Sequence, residues 1–158
     1  MAKKTNAMRR LDQAKVSYEV RTFEVGDAHM DGAHVAEKIG VNPEQVFKTL
    51  VLENAQHDHF VFVIPVQAHL DMKQAAHVVG EKKLQLMPLD DLKRVTGYVR
   101  GGCSPIGMKT DFPTVFDTTM FDNDRVYVSA GQRDVQMGVD PKDLATLAQA
   151  RQASIITT

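Results

Sequence analysis

Seven residues constrain this chain more than any others. Gly101-Gly102-Cys103-Ser104-Pro105-Ile106-Gly107 sets three glycines, a proline and a hydroxyl between two apolar segments. Such a run cannot continue a helix or fill a strand. Glycine admits positive φ and close approach of a second molecule, while Pro105 fixes its own φ and turns Ser104 away from the α region. The expected result is a rigid loop with outward N–H groups, a concavity suited to anions or polarised carbonyls. The plainer alternative is a connector whose glycines serve tight turns.

Around this loop the pattern alternates between hairpins and separate helices. Ala7, Met8, Leu11 and Ala14 recur at helical spacing, and Val16, Tyr18 and Val20 alternate with polar residues as a half-buried strand would. A loop over 26–32 precedes a helix from about Ala33 to Ile39, closed by Gly40. Asn42-Pro43-Glu44 opens a brief turn, and Phe47–Leu52 with His59–Val66 makes a hairpin candidate. Asp71 caps a helix running to Val79, Leu84–Met87 is a short strand, and Pro88 leads a helical turn that ends near Gly97. Beyond the loop, Thr114–Phe116, Arg125–Ser129 and Val135–Val139 read as strands, and Asp140-Pro141 starts a last helix reaching about Arg151. This order predicts a mixed α/β (α+β) fold with a largely antiparallel or mixed sheet, or a partial barrel, flanked by helices.

At 158 residues the chain suits one domain spanning 1–158. Its single cysteine excludes an internal disulfide and a cysteine-based zinc cluster. No apolar run is long enough to span a membrane, and Met1–Arg10 lacks the apolar core of a signal peptide, so a cytoplasmic protein is expected. The net charge of −1 argues against a general nucleic-acid coat. Basic residues nevertheless gather in 1–21 and 81–109, where they could face phosphates or simply be solvated helix faces.

The usual hydrolytic machinery is missing. The six histidines show no metalloprotease spacing, no P-loop or Gly-x-Ser-x-Gly elbow occurs, and His57 and His59 read as surface decoration or, less simply, as metal ligands. Cys103 sits in the glycine loop without a sequence-adjacent base, which favours a small packing role over a nucleophilic one. Lys48 is the unusual residue. It lies within Val46-Phe47-Lys48-Thr49-Leu50-Val51-Leu52, on the face of Val46, Leu50 and Leu52, where it must reach water or meet an anionic partner.

Three segments carry a likeness: Val46-Phe47-Lys48-Thr49-Leu50, the run Gly97-Tyr98-Val99-Arg100-Gly101-Gly102-Cys103-Ser104-Pro105-Ile106-Gly107, and Val126-Tyr127-Val128-Ser129-Ala130-Gly131. Together they resemble the signature segments of the YbaK/EbsC family, free-standing relatives of the editing domain of prolyl-tRNA synthetases, over nearly the whole chain. The resemblance implies a trans-editing deacylase of the synthetase-associated fold, acting on mischarged aminoacyl-tRNA such as Cys-tRNA(Pro) or Cys-tRNA(Cys), with prolyl-tRNA synthetase as a possible partner. It implies catalysis dependent on Lys48. It also implies a substrate site with Thr49, Gly101, Gly102, Ser104, Pro105, Gly107, Ser129 and Gly131, and no metal or other cofactor. Cysteine would leave by attack of its own thiol on the ester. Relatives that remove alanine use a positioned water, and a non-catalytic module binding aminoacyl-tRNA or a synthetase is the remaining alternative. Where some relatives carry an aromatic hydroxyl and an acid, this chain has Phe23 and Gln136 nearby.

Overall fold

The computed structural model describes residues 4–24 and 32–157. Its scaffold is the hairpin of β2 (Phe47–Glu53) and β3 (His59–Pro65), whose antiparallel register sets Lys48 opposite Ile64, Leu50 opposite Phe62 and Leu52 opposite Phe60. The apolar residues on both faces of β3 mark a strand buried on two sides. β5 (Thr114–Asp117) joins β3 in parallel and β8 (Arg151–Ala153) joins β5 in parallel, while the two-residue β4 (Gln85–Leu86) pairs with β2 only at Leu52 and Glu53. The resulting five-stranded order is β4-β2-β3-β5-β8. A separate three-stranded antiparallel sheet has the order β1-β7-β6, from Glu19–Thr22, Val135–Val139 and Val126–Gln132.

The mixed α/β expectation is met, with both antiparallel and parallel pairings. No closed barrel forms. Among the described residues the sheets share only the Val46–Tyr127 bridge, so the ladder does not close.

Local chemistry explains several helix ends. Thr5 accepts a hydrogen bond from the Met8 N–H to start α1 (Asn6–Gln13), Asp71 does so from Gln74 for α3 (Met72–Val78), and Asp140 from Lys142 for α5 (Pro141–Ala148). Gly40 ends α2 (Gly32–Ile39), and Gly97 ends α4 (Leu89–Thr96), each with positive φ. The loop expected over 26–32 lies outside the described residues up to 31, and Gly32 already belongs to α2.

Two expectations change. The last helix stops at Ala148 because Gln149 turns left-handed, and residues 151–153 become β8 instead of a helix end. Of the predicted apolar face, Val16 and Tyr18 pack against the core, but in β1 the pattern turns over: Val20 is 44% exposed, while Glu19 and Arg21 turn inward. There Arg21 stacks over the Tyr127 ring and donates to the Ile39 carbonyl, and Glu19 pairs with Arg21 and Arg125, so polar partners outweigh one valine.

The main core lies between the sheets. Phe47, Val51, Val61 and Val63 meet Val126, Val128 and Met137, with Leu11 of α1 sealing one end. On the far face of the larger sheet, Leu52, Phe60, Phe62 and Ile64 pack under Ala75 and Ala76 of α3. Each large side chain buried there contributes about 1.5–3 kcal/mol. No helix among the described residues is long and apolar enough to cross a membrane.

Candidate active site

β4 covers only the far end of β2, which leaves Phe47–Leu50 without a strand neighbour on that side. A cavity of about 480 Å³ opens along this edge, bounded by β2, the β6–β7 pair, α4 and the start of the glycine loop. Lys48 lines it. The side chain is half-buried, and it has no hydrogen-bond or ion-pair partner among the described residues. Burial holds its ammonium below the ordinary lysine value, because the charged form loses hydration. Among the described residues no carboxylate lines the cavity, and Arg100 is the only other cation on its wall. The chamber therefore favours an anion or the oxygen of a polarised ester.

The glycine loop is fastened from several directions. Thr96 Oγ1 accepts from the Tyr98 N–H at 3.0 Å and donates to the Leu92 carbonyl at 2.8 Å, tying the loop's start to α4. The Tyr98 hydroxyl donates to the Ile106 carbonyl at 2.8 Å, bridging the loop's two ends. Gly107 has φ +78°, and a Cβ there would lie 2.6 Å from that hydroxyl and 2.8 Å from the Ala7 nitrogen. Only glycine fits.

The structure divides the residues singled out in the sequence. Lys48, Thr49, Gly101 and Ser129 line the one cavity. Gly102 instead packs against the Gln132–Arg133 backbone, and its N–H is already donated to the Val99 carbonyl. The N–H groups of Gly101 and Cys103, by contrast, make no bond among the described residues. Ser104 is fully buried with its Oγ unpartnered, Gly131 lies against the Tyr98 ring, and Pro105 and Gly107 line a separate cavity of about 240 Å³. These residues shape the loop from behind.

Gln136 is the addition. It stands opposite Ser129 in the β6–β7 register, is 6% exposed, and lines the cavity with its Oε1 lacking any partner among the described residues. Thr49 Oγ1 is likewise buried and unpartnered. Buried acceptors of this kind cost about 1–3 kcal/mol each unless something bonds them, so the cavity floor is prepared for a polar ligand. Alternation in Val135–Val139 sets Gln136 and Gly138 on the face opposite Val135, Met137 and Val139, and nothing in that pattern shows that this face is buried against a cavity.

Cys103 lines the wall as a neutral thiol: burial pushes its pKa up to about 12. It offers no thiolate near neutral pH. His57 and His59 lie away from this lining, beside Glu53 at 3.4 and 3.5 Å. No Ser–His or Cys–His pair lines the cavity among the described residues. What the arrangement can do is hold a polarised group beside Lys48 and stabilise charge that develops on it.

Comparison with known proteins extends this geometry. The family model described as "Aminoacyl-tRNA editing domain" matches residues 28–147. A protein of Enterococcus faecalis, provisionally named Cys-tRNA(Pro)/Cys-tRNA(Cys) deacylase EbsC, is 40% identical over 154 residues, covering 98% of this chain and 94% of its own. The uncharacterized protein YwhH of Bacillus subtilis is 28% identical over 127 residues, 80% of this chain and 79% of its own. A crystal structure described provisionally as a trans-editing enzyme for prolyl tRNA synthetase superposes with a TM-score of 0.84 at 21% identity, covering 99% of this chain and all of that one. At that identity the likeness speaks for the fold.

Proposed function

The chain belongs to the aminoacyl-tRNA editing domain family, and on that premise we propose that it is a trans-acting editing deacylase that removes cysteine from mischarged Cys-tRNA(Pro) and Cys-tRNA(Cys). The observation that carries this reading is Lys48: a half-buried ammonium that, among the described residues, has no partner and shares its cavity with no carboxylate, above a floor of polar atoms that those residues leave unbonded.

An aminoacyl ester is already activated, so the protein must mainly orient it and stabilise the developing oxyanion. Lys48 takes the ester or phosphate oxygen, and the N–H groups of Gly101 and Cys103, two lining residues that donate no backbone bond among the described residues, receive the carbonyl oxygen. Gln136 and Thr49 accept hydrogen bonds from the α-ammonium group. The substrate's sulfur attacks its own carbonyl carbon, the C–O bond to the ribose breaks, and the thiol proton passes to the departing ribose oxygen. The products are a thiolactone and free tRNA.

This route requires no nucleophile from the protein, consistent with a neutral Cys103 and with no serine or cysteine paired with a histidine on the lining among the described residues. It also makes cysteine selective by reactivity, whereas an apolar pocket separates substrates differing by one methylene by only about 1–3 kcal/mol. The setting is cytoplasmic, one domain does the work, no metal or cofactor takes part, and prolyl-tRNA synthetase assists in choosing the tRNA.

The test is single-turnover deacylation of cysteine-charged and alanine-charged tRNA(Pro). Cysteine release with a thiolactone product supports the reading. Faster release of alanine, with incorporation of solvent oxygen into the free amino acid, overturns the thiol route in favour of a bound water.

A further inference from the structure

The cavity has two unlike halves. Its floor, with Ser129, Gln136 and Phe47, is buried and carries the unbonded polar atoms. Its rim is apolar and open: Leu86 on β4 and Leu89 in the first turn of α4 line the same cavity yet are 62% and 57% exposed. Single exposed leucines are ordinary. Two that share one cavity mouth with an exposed Arg100 form a surface awaiting a flat, largely apolar group with a negative charge close by.

Size points the same way. A cavity of about 480 Å³ falls among those of roughly 300–1,000 Å³ that enclose drug-sized ligands, far more than one small acyl group fills.

We infer that the Leu86–Leu89 rim holds the terminal nucleobase of the aminoacyl-tRNA, and that Arg100 takes the phosphate that precedes it. This rests on the editing reading above. With the acyl group on the polar floor, its ester oxygen belongs to a ribose, and the base attached to that ribose comes to lie one sugar further out, at the rim. Neither leucine can hydrogen-bond a base edge, so the contact recognises a stacked face and not a sequence, which suits an acceptor end common to every tRNA. The absence of carboxylates from the lining leaves the phosphate unopposed among the described residues.

The experiment measures binding, so it does not depend on turnover. The probe is a non-cleavable amide, 3′-cysteinylamino-3′-deoxyadenosine 5′-phosphate, beside the same compound lacking the base. Affinities are measured by calorimetry for the parent, for Leu86→Ser/Leu89→Ser and for Arg100→Ala. Both leucines are exposed, and thermal unfolding checks that the double variant folds. The parent should lose about tenfold in affinity when the base is removed, and the double variant should lose about tenfold for the complete probe while binding the base-free probe like the parent. Arg100→Ala should weaken both probes alike and flatten their salt dependence.

Independent effects of base removal and leucine substitution, no effect of either, or no binding of the complete probe would overturn the assignment. If the parent cleaves cysteinyl-tRNA but binds both probes equally, the rim assignment fails while the editing reading stands. Base-dependent binding that the leucine pair controls, without any ester cleavage, would support the rim as a nucleobase site and remove the editing reading.

Discussion

Lys48 sits where a cation has least protein support, half-buried on a strand edge and without a carboxylate partner among the described residues. That placement has a stability consequence with a definite sign. Burial lowers the folded-state pKa below the ordinary 10.5, so the unfolded chain binds this proton more tightly. The cost of keeping the ammonium charged is therefore present in full at neutral pH and fades as pH rises from the lowered value to 10.5. Lys48→Met should melt above the parent at pH 7, with the gap narrowing across that alkaline window. The same substitution should abolish the proposed turnover, the signature of a residue retained for function against stability. Cys103 gives the contrasting case. With its thiol held up near 12 and its side chain buried, it should resist iodoacetamide at pH 8 until the protein is unfolded. Cys103→Ala should lower kcat/KM by less than about tenfold, against about 10²–10³-fold for Lys48→Ala. Of these residues, Lys48 was legible in the sequence because a lysine on an apolar strand face breaks the pattern. Gln136 was harder to place, since one amide in Val135–Val139 is compatible with either face, and its meaning depends on Ser129 across the sheet.

The glycine loop was visible as a break in both helical and strand chemistry, but the part of it that lines the larger cavity is smaller than the motif. Only Arg100, Gly101 and Cys103 of 100–107 line the larger cavity, whereas Gly102 packs against the end of β6 and Gly107 against the start of α1. Sequence could not separate these duties because they depend on contacts with residues a hundred positions away, such as Ala7 with Gly107. Gly107→Ala combines a disfavoured φ of +78° with a Cβ 2.6 Å from the Tyr98 hydroxyl, and it should cost about 3 kcal/mol or more in chemical denaturation. Tyr98→Phe leaves the buried Ile106 carbonyl unpaired and should cost about 1–3 kcal/mol. If neither change moved the denaturation midpoint, the loop would not be braced as described. β1 shows the opposite failure of legibility: period-two spacing located the strand and put Val16 and Tyr18 on the core, but the Glu19–Arg21–Arg125–Tyr127 cluster turns Val20 outward.

For the whole molecule, hairpins and capped helices followed from local pattern, while the division into two sheets did not. Parallel pairing of β3, β5 and β8 joins segments far apart in sequence, and nothing in Arg151–Ala153 itself distinguishes an edge strand from a helix end. What fixes that terminal segment is Ile155, fully buried, whose N–H donates to Asp117 and whose carbonyl accepts from Asp71. Ile155→Ala should destabilise the protein by about 2–5 kcal/mol, measured by urea unfolding. The two sheets and α4 converge on a single chamber, and its use in editing is best tested by one measurement: loss of cysteine from Cys-tRNA(Pro), beside Ala-tRNA(Pro) and Pro-tRNA(Pro), with the parent and with Lys48→Ala in the presence of a chelator. The expected result is cysteine release by the parent, unaffected by chelator and slowed about 10²–10³-fold in the lysine variant, with the prolyl ester left intact. Release no faster than the spontaneous rate, or equally fast without Lys48, would contradict it.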